Sequence, residues 1–335
     1  MVARRHAAAL RHIRQNEGAK FTPAPAAMPS SASVLPGLTI FQRGWMSSNN
    51  ILLHGHGDGA TLVDAGHVLH AEQTVALVRQ ALRGEALAGV VNTHLHSDHC
   101  GGNASLQRAF GCRITIPPGQ WQAARDWDQV ALSYGPTGQR CERFVPDACL
   151  HPGDGFEVGR QRWSALAAPG HDPHSLILFN AADGVVITAD ALWERGFGVV
   201  FPELDGVNAF DDVAAVLDLI ESLGARVAVP GHGAPFEDVA GALRIARERL
   251  AAFRARPDRH ARHGAKVLVK YHLMEERRQA LPELLAWCAA TPLFDAVWQR
   301  LGRPDGSAAA FAGVIVRELC EGGALAQADG MVRDT

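Results

Sequence analysis

The sequence predicts an α/β protein whose mixed β-sheets are covered by helices, followed by a smaller, mostly helical C-terminal unit. Short apolar runs typical of strands alternate with amphipathic stretches of helical spacing. Two early runs are joined by Gly57-Asp58-Gly59, a hairpin signal. Four later runs each lead within a few residues into a histidine or an aspartate. These three observations together predict the class.

The predicted strands are short and rich in Val, Ile and Leu, which is typical of buried strands. They cover residues 38–42, 50–54, 60–63, 87–91, 162–167, 184–188 and 226–229. Residues 71–82 and 211–223 carry apolar side chains at helical spacing and predict amphipathic helices. An arginine-rich helix is predicted from about residue 241 to 256.

Three domains are predicted: a flexible tail at 1–34, a catalytic domain at 35–258 and a C-terminal domain at 259–335. The tail is rich in Ala, Pro and Arg, which is typical of a disordered terminus, and a transit peptide is the alternative. The C-terminal domain is predicted to be winged-helix-like. Its predicted elements are helices at 266–276, 281–290, 292–301 and 309–322 and a hairpin at 324–332.

Composition excludes several classes of protein. With 335 residues, 47% of them hydrophobic, the chain can bury a large core and is not a disordered protein. A net charge of −3 gives no general case for nucleic acid or an anionic membrane. No apolar run approaches the roughly 18–20 residues that span a bilayer, so no membrane partner is expected. Six cysteines without a CxxC pair suit a reducing compartment, and we expect a cytoplasmic protein.

The segment Thr-His-Leu-His-Ser-Asp-His-Cys-Gly-Gly, residues 93–102, holds three imidazoles and a carboxylate within six residues. Packing does not explain such a density, whereas imidazole and carboxylate suit zinc and its first-row neighbours. In an extended strand His94 and His96 point the same way and can hold one ion. Asp98 and His99, on the following turn, can then reach a second. Comparable residues follow other predicted strands, namely Asp64, His171, Asp190 and His232.

This ordered set resembles the motifs of the metallo-β-lactamase-fold hydrolase superfamily over about residues 35–250. The resemblance implies an αββα sandwich, with metal ions bound at one rim of two mixed sheets. The implied ligands are His94, His96 and His171 for the first ion, Asp98, His99 and His232 for the second, and Asp190 bridging both. Asp64 would hold the histidine loop in place, a turn-forming or helix-capping role being its alternative. His174 would lie behind the ligands, with no role at the site as its alternative.

The implied chemistry is hydrolysis. Two cations a few ångströms apart lower the pKa of a bridging water, so that hydroxide is available at neutral pH. Asp98 is expected to be the catalytic side chain that orients this hydroxide or carries a proton to the leaving group. Two zinc ions are the expected cofactor, with iron or manganese as alternatives because His/Asp sets also fit them.

With a carboxylate at position 190, the sequence resembles the glyoxalase II-like, lactonase and phosphodiesterase branches of the superfamily. The β-lactam-hydrolysing members generally lack this carboxylate. We therefore expect a zinc-dependent hydrolase, not a true β-lactamase, that cleaves a thioester, lactone or ester bond in a small molecule. Apolar residues near the bridging aspartate are the candidate substrate contacts, namely Trp193, Phe197 and Phe201.

Two other functions stay open. The C-terminal unit resembles the small appendage of the family that includes β-lactamase-like protein 2, some members of which cut single-stranded RNA. Residues 241–278 carry nine Arg and two Lys against four acids, which would suit a phosphodiesterase or endoribonuclease. For this basic run, a solvated helix face and linker is the favoured interpretation. A more ordinary role for the C-terminal unit is to wall one side of the substrate cleft or to form a homodimer contact. The remaining alternative is a catalytically silent metal- or ligand-binding sensor.

Overall fold

A computed structural model describes residue 35 and residues 37–335, so the predicted tail lies outside the described residues. The strands are β1 (Leu38–Phe41), β2 (Asn50–Leu53), β3 (Ala60–Val63), β4 (Leu87–Val91), β5 (Arg113–Ile116), β6 (Ala148–Cys149), β7 (Gly155–Val158), β8 (Gln161–Ala167), β9 (Leu176–Asn180), β10 (Val185–Ala189), β11 (Val227–Pro230), β12 (Arg278–Ala280), β13 (Leu325–Ala328) and β14 (Met331–Asp334).

The α-helices are α1 (Ala71–Leu82), α2 (Ser97–Cys100), α3 (Asn103–Phe110), α4 (Trp121–Asp126), α5 (Tyr134–Thr137), α6 (Phe201–Leu204), α7 (Phe210–Ser222), α8 (Val239–Ala255), α9 (Pro257–Glu276), α10 (Leu281–Ala290), α11 (Pro292–Arg300) and α12 (Ala308–Glu321). Short 3₁₀ helices lie at Val68–His70 and Pro118–Gln120.

Two mixed sheets form the first part of the chain. The first has the order β1-β2-β3-β4-β5-β6, antiparallel from β1 to β3 and parallel from β3 to β6. The second has the order β11-β10-β9-β8-β7, in which only β10 and β11 are parallel. Parallel neighbours need a crossover, and α1 supplies it between β3 and β4 while α7 supplies it between β10 and β11.

The two sheets pack face to face, and helices cover their outer faces. Ile51 and Leu53 belong to the core between the sheets, while Leu52 belongs to the core under α1 and α3. Likewise Ile187 faces the first sheet and Val186 faces α7 and α8. Strands buried on both faces are apolar without alternation, which is why their sequences are continuous hydrophobic runs. The predicted αββα class is confirmed.

Five strands lie outside the predicted elements: β5, β6, β7, β9 and β12. They are two to five residues long. A run this short shows no reliable period, and hydrogen bonds from neighbouring strands determine whether it is extended. Tertiary contacts therefore decided these elements.

The C-terminal unit contains helices α9 to α12 and an antiparallel sheet of order β12-β14-β13. The predicted start of its first helix at 266 was wrong, because α9 begins at Pro257, and proline suits a first helical turn. Its hydrophobic core takes in Val199 and Leu204, from the segment that follows β10. The unit thus packs directly on a loop beside the predicted site. None of the described helices is both long and apolar enough to cross a membrane.

Candidate metal centre

The predicted ligands lie together at one edge of the sandwich, where five strands end. The residues that follow these strands are Asp64 after β3, His94 after β4, His171 after β8, Asp190 after β10 and His232 after β11. Between His96 and Gly101 the chain forms the single helical turn α2, which presents Asp98 and His99. The extended backbone that carries His94 and His96 is followed at once by this helical turn. The side chains of the two segments therefore point to two adjacent groups.

The first group of ligands consists of His94, His96 and His171, all buried. His94 Nε2 lies 3.1 Å from His96 Nδ1, which in turn lies 2.8 Å from His171 Nε2. His94 Nε2, His96 Nδ1 and His171 Nε2 therefore converge on one point. Neutral imidazole has one N–H and one lone pair, so a shared cation satisfies this convergence better than hydrogen bonds do.

The second group consists of Asp98, His99, Asp190 and His232, which are also buried. Asp98 Oδ2 lies 3.0 Å from His232 Nε2 and 3.7 Å from His99 Nε2. The ligand atoms of the group all lie within 4.8 Å of one another. The group supplies two carboxylates and two imidazoles.

Asp190 lies between the two groups. Its Oδ2 is 3.3 Å from His171 Nε2, while its Oδ1 is 3.5 Å from His99 Nε2 and 3.8 Å from His232 Nε2. One carboxylate thus faces both groups, each through a different oxygen. The indole Nε1 of Trp193 donates to Oδ1 at 3.1 Å, which restrains the rotation of this carboxylate.

The outer nitrogens of two ligands are held by hydrogen bonds. His171 Nδ1 donates to the carbonyl oxygen of Val199 at 2.6 Å, and His99 Nδ1 donates to Asp64 Oδ2 at 2.7 Å. Such bonds fix the orientation of each ring, with its Nε2 toward the site. His96 is turned the other way, with its Nε2 3.8 Å from Asp172 Oδ2.

Asp64 ties the end of β3 to the start of the histidine loop. Its carboxylate accepts hydrogen bonds from Thr93 N and Thr93 Oγ1, both at 2.8 Å, in addition to the bond from His99. Its backbone has a φ of +58°, a conformation that aspartate and asparagine tolerate better than most residues. The holding contact and the turn geometry predicted as alternatives therefore coexist at this residue.

The charges of the two groups differ. Burial lowers the pKa of His171 to about 4, and burial with the neighbouring histidines lowers the pKa of His94 well below its usual value. Burial opposes ionisation of Asp98, but His99 and His232 outweigh it and hold its pKa at about 2. Against the effect of burial, the carboxylates of Asp64, Asp190 and Asp98 raise the pKa of His99. His94 and His171 of the first group are therefore neutral, while the second group holds an ionised carboxylate at Asp98.

The donor set fits bound metal ions. His99 Nε2 is a fully buried nitrogen that points into the second group and has no hydrogen-bond partner among the described residues. Leaving such an atom unsatisfied costs about 1–3 kcal/mol, which a coordinated cation removes. Imidazole and carboxylate donors suit zinc, iron and manganese, and the geometry alone does not choose among them.

A glycine lets the end of β11 approach Asp190 and His99 of the second group closely. A Cβ on Gly231, the residue before His232, would lie 2.2 Å from Asp190 Oδ1 and 3.0 Å from His99 Cε1. Any larger residue would therefore displace the shared carboxylate. This close approach explains the Pro-Gly-His pattern at the end of β11.

Two of the predicted neighbouring residues, Phe197 and His174, are largely occupied by other contacts. Phe197, predicted as a substrate contact, is 2% exposed, packs against Phe253 and the Arg249 guanidinium, and lines a small cavity with His171 and Asp190. Burial of an aromatic ring stabilises the fold, which outweighs its sequence proximity to the site. The ring of His174 lies against Gly119, and Asp172 is the residue that faces a ligand, with its Oδ2 3.8 Å from His96 Nε2.

Aromatic rings flank the two groups on either side. The Phe201 ring lies 4.9 Å from that of His96 and 5.5 Å from that of His171. The Trp193 ring lies 5.5 Å from that of His232. These two predicted substrate contacts thus lie at the site.

Sequence reasoning missed Trp45, which stacks on His232 with centroids 5.4 Å apart and lies 5.3 Å from Trp193. Its loop is tied to the site, because Ser48 N donates to the carbonyl oxygen of Asp98 at 2.9 Å. No local signal marks Trp45, which precedes His94, the first predicted ligand, by nearly fifty residues.

A family model described as the metallo-beta-lactamase superfamily matches residues 43–232. The chain is similar to the hydroxyacylglutathione hydrolase of Methylococcus capsulatus, with 32% identity over 154 residues, which are 45% of this chain and 50% of that protein. It is also similar to the hydroxyacylglutathione hydrolase of Anaeromyxobacter dehalogenans, with 25% identity over 224 residues, 67% of this chain and 76% of the relative. The chain spans about half the length of the first-named relative.

Solved structures share the fold. A metallo-beta-lactamase family protein from Thermus thermophilus superposes with a TM-score of 0.54 at 22% identity, covering 90% of this chain and 100% of that one. A beta-lactamase domain protein from Burkholderia ambifaria also gives a TM-score of 0.54 at 22% identity, covering 93% of this chain and 97% of that one. At this identity the likeness concerns the fold.

Proposed function

The chain belongs to the metallo-β-lactamase superfamily, and from that premise we propose that it is a metal-dependent hydrolase of thioester, lactone or ester bonds. The observation that carries the proposal is the Asp190 carboxylate, which faces a three-histidine group through one oxygen and an Asp/His group through the other. The proposed ligands are the seven predicted residues. The hydroxyacylglutathione hydrolases among the relatives support a carbonyl-centred bond as the target.

Divalent ions bound in the two groups would lower the pKa of a coordinated water and polarise the carbonyl oxygen of a substrate. The proton transfers of the reaction are assigned to side chains of this protein. The side chain of Asp98 is 12% exposed, against 6% for Asp190, so Asp98 is the carboxylate that reaches the cleft. Its low pKa keeps it ionised, and we assign it the acceptance of the proton of the attacking water and its transfer toward the leaving group.

The contacts of the basic segment favour a small-molecule substrate over RNA. Most cations of residues 241–278 already lie beside carboxylates of the same chain. The pairs are Arg244–Glu248, Arg247 with Asp218 and Glu221, Arg254–Asp211, Arg256–Asp258, Arg262–Glu318, Lys266–Glu318 and Lys270–Asp334. Charge neutralised in this way attracts a phosphate backbone weakly.

A metal analysis coupled to a substrate panel tests the proposal. We expect the purified chain to bind two metal ions and to hydrolyse thioesters, lactones or esters. The activity should be lost on chelation and should return with zinc, iron or manganese. RNA cleavage that falls steeply with salt would support the endoribonuclease instead. Bound metal without turnover of any substrate would support the sensor.

The aromatic rings at the cleft suggest an aromatic or apolar group on the substrate. Trp45 is 44% exposed beside His232, and Trp193 and Phe201 line the same site. An aromatic pair contributes about 0.5–1.5 kcal/mol beyond area burial. We therefore expect Trp45→Ala to lower kcat/KM for an aryl thioester or ester about 2- to 10-fold. An acetyl ester of a small alcohol should be unaffected.

The same comparison contains its controls. Trp45→Phe keeps a ring and should retain most of the preference for the aryl substrate, while Val145→Ala removes an exposed side chain that belongs to none of these ring contacts. Equal losses on the aryl and acetyl substrates in Trp45→Ala would contradict a substrate contact and indicate a change in the loop.

A further inference from the structure

The long helix α9 of the C-terminal unit contacts loops that carry the proposed ligands. His260, which is 1% exposed, accepts a hydrogen bond at Nε2 from the backbone N–H of Val200 at 3.1 Å. The carbonyl of that same peptide group belongs to Val199 and accepts the Nδ1 hydrogen bond of His171 at 2.6 Å. One peptide group thus lies between His260 and a ligand of the first group.

A second contact reaches the histidine loop. Ser97 Oγ donates to Gln139 Oε1 at 2.8 Å, so the Tyr271 hydroxyl, 3.0 Å away, donates to Ser97 Oγ. Ser97 lies between His96 and Asp98, one ligand from each group. The hydroxyl of Tyr271 is therefore hydrogen-bonded to the segment that carries ligands of both groups.

A third contact anchors the helix where these two are made. Glu275 Oε1 lies 2.8 Å from His67 Nε2, and both side chains are fully buried. His67 follows the turn that begins at Asp64. Since a buried ion-paired or hydrogen-bonded pair resists separation, α9 is held against the site at its C-terminal end.

We propose that α9 is part of the support of the metal centre, with His260 and Tyr271 as positioning residues. His260 acts through the Val199–Val200 peptide group on His171, and Tyr271 acts through Ser97 on His96 and Asp98. The inference rests on the proposed metal centre and adds to it residues from outside the region that the family model matches.

The physical reason is hydrogen-bond polarisation. A peptide N–H that donates makes its own carbonyl a better acceptor, and such chains strengthen one another. The carbonyl in turn fixes the tautomer and orientation of His171. For this His260 must keep a lone pair on Nε2, and burial, together with the charges of Arg249 and Arg300, lowers its pKa to about 4, so the ring is neutral at physiological pH.

Metal affinity in the full chain tests the proposal, with His272 as a matched control. His272 is a buried histidine of the same helix, but its contacts, Gln279 at 2.9 Å and the Trp287 ring at 3.7 Å, lie within the C-terminal unit. We would measure the two zinc dissociation constants of each variant by competition with a chromogenic chelator. Thermal melts would verify folding.

The expected results distinguish His260 and Tyr271 from the control residue His272. Loss of a direct partner of a metal ligand costs about 10- to 100-fold in affinity, and His260 lies one peptide group further out, so His260→Ala should weaken one binding event about 3- to 10-fold. Tyr271→Phe, which removes only a hydroxyl, should weaken both events, since Ser97 flanks a ligand of each group. His260→Gln offers a new acceptor to Val200 and should restore part of the affinity. His272→Ala should change neither constant.

Other outcomes would overturn the inference. Equal weakening in His260→Ala and His272→Ala would mean that general destabilisation of the helix is responsible. Wild-type dissociation constants in both His260→Ala and Tyr271→Phe would refute the positioning role while leaving the proposed function intact. A wild-type chain that binds no metal would instead refute the metal centre itself, and this inference with it.

Discussion

Replacing Asp98 with alanine is expected to lower kcat about 10²- to 10⁴-fold, the range in which a positioned acid or base contributes. The side chain lies 3.0 Å from His232 and is the more exposed of the two carboxylates in the second group. Its removal takes away both a ligand and the proposed proton carrier. The fold should survive, because no hydrophobic core includes Asp98.

Kinetics and metal content measured together check this expectation. Asp98→Asn keeps the size of the side chain and should show a comparable loss of kcat. Asp172→Asn is the matched control, because Asp172 is a buried carboxylate at the same edge that faces His96 from outside the ligand groups. The kcat of this control should fall about 10-fold, the lower end of the range for partners of metal ligands. An Asp98→Ala protein that holds both metals and keeps most activity would contradict the assigned role.

Replacing Asp64 with alanine should lower the free energy of unfolding by about 3–5 kcal/mol, the range for breaking a buried charged pair. The carboxylate is 2% exposed and accepts from Thr93 N, Thr93 Oγ1 and His99 Nδ1. Alanine leaves these buried donors unsatisfied. It also has to adopt a φ of +58°, which it does less readily than aspartate.

Denaturant unfolding in the presence of a chelator measures this effect without a contribution from bound metal. Asp64→Asn separates its two causes, because asparagine tolerates the positive φ and can still accept from Thr93 N while lacking the charge that faces His99. We expect the asparagine variant to unfold at a denaturant concentration between those of wild type and Asp64→Ala. A loss below about 1 kcal/mol in Asp64→Ala would show that these hydrogen bonds do not hold the loop.

The candidate ligands that the structure brings together could be identified from the sequence because the chemistry that selects them is local. Only a few residue types bind first-row metal ions, and His94, His96, Asp98 and His99 lie within six residues of one another. The sandwich was predictable for a related reason. Strands covered on both faces must be apolar throughout, and that pattern is visible in each strand without knowledge of its neighbours.

The surroundings of the ligands were not predictable in this way. Trp45 contacts His232, and His260 contacts the peptide group that holds His171, although His260 and Val200 are 60 residues apart and Trp45 and His232 are much further apart in the sequence. Phe197 shows the converse, since it is close to Asp190 in sequence but packs into the core. No local sequence pattern distinguishes a residue that reaches the site from one that packs into the core.

By itself, then, the sequence determined which donor atoms are available and at which strand ends they lie, because both depend on residue type and short-range spacing. The tertiary structure alone decided how the donors divide into two groups, which carboxylate lies between them, and that a C-terminal helix reaches their loops. These depend on the close approach of distant segments, and such an approach follows from the packing of the whole chain.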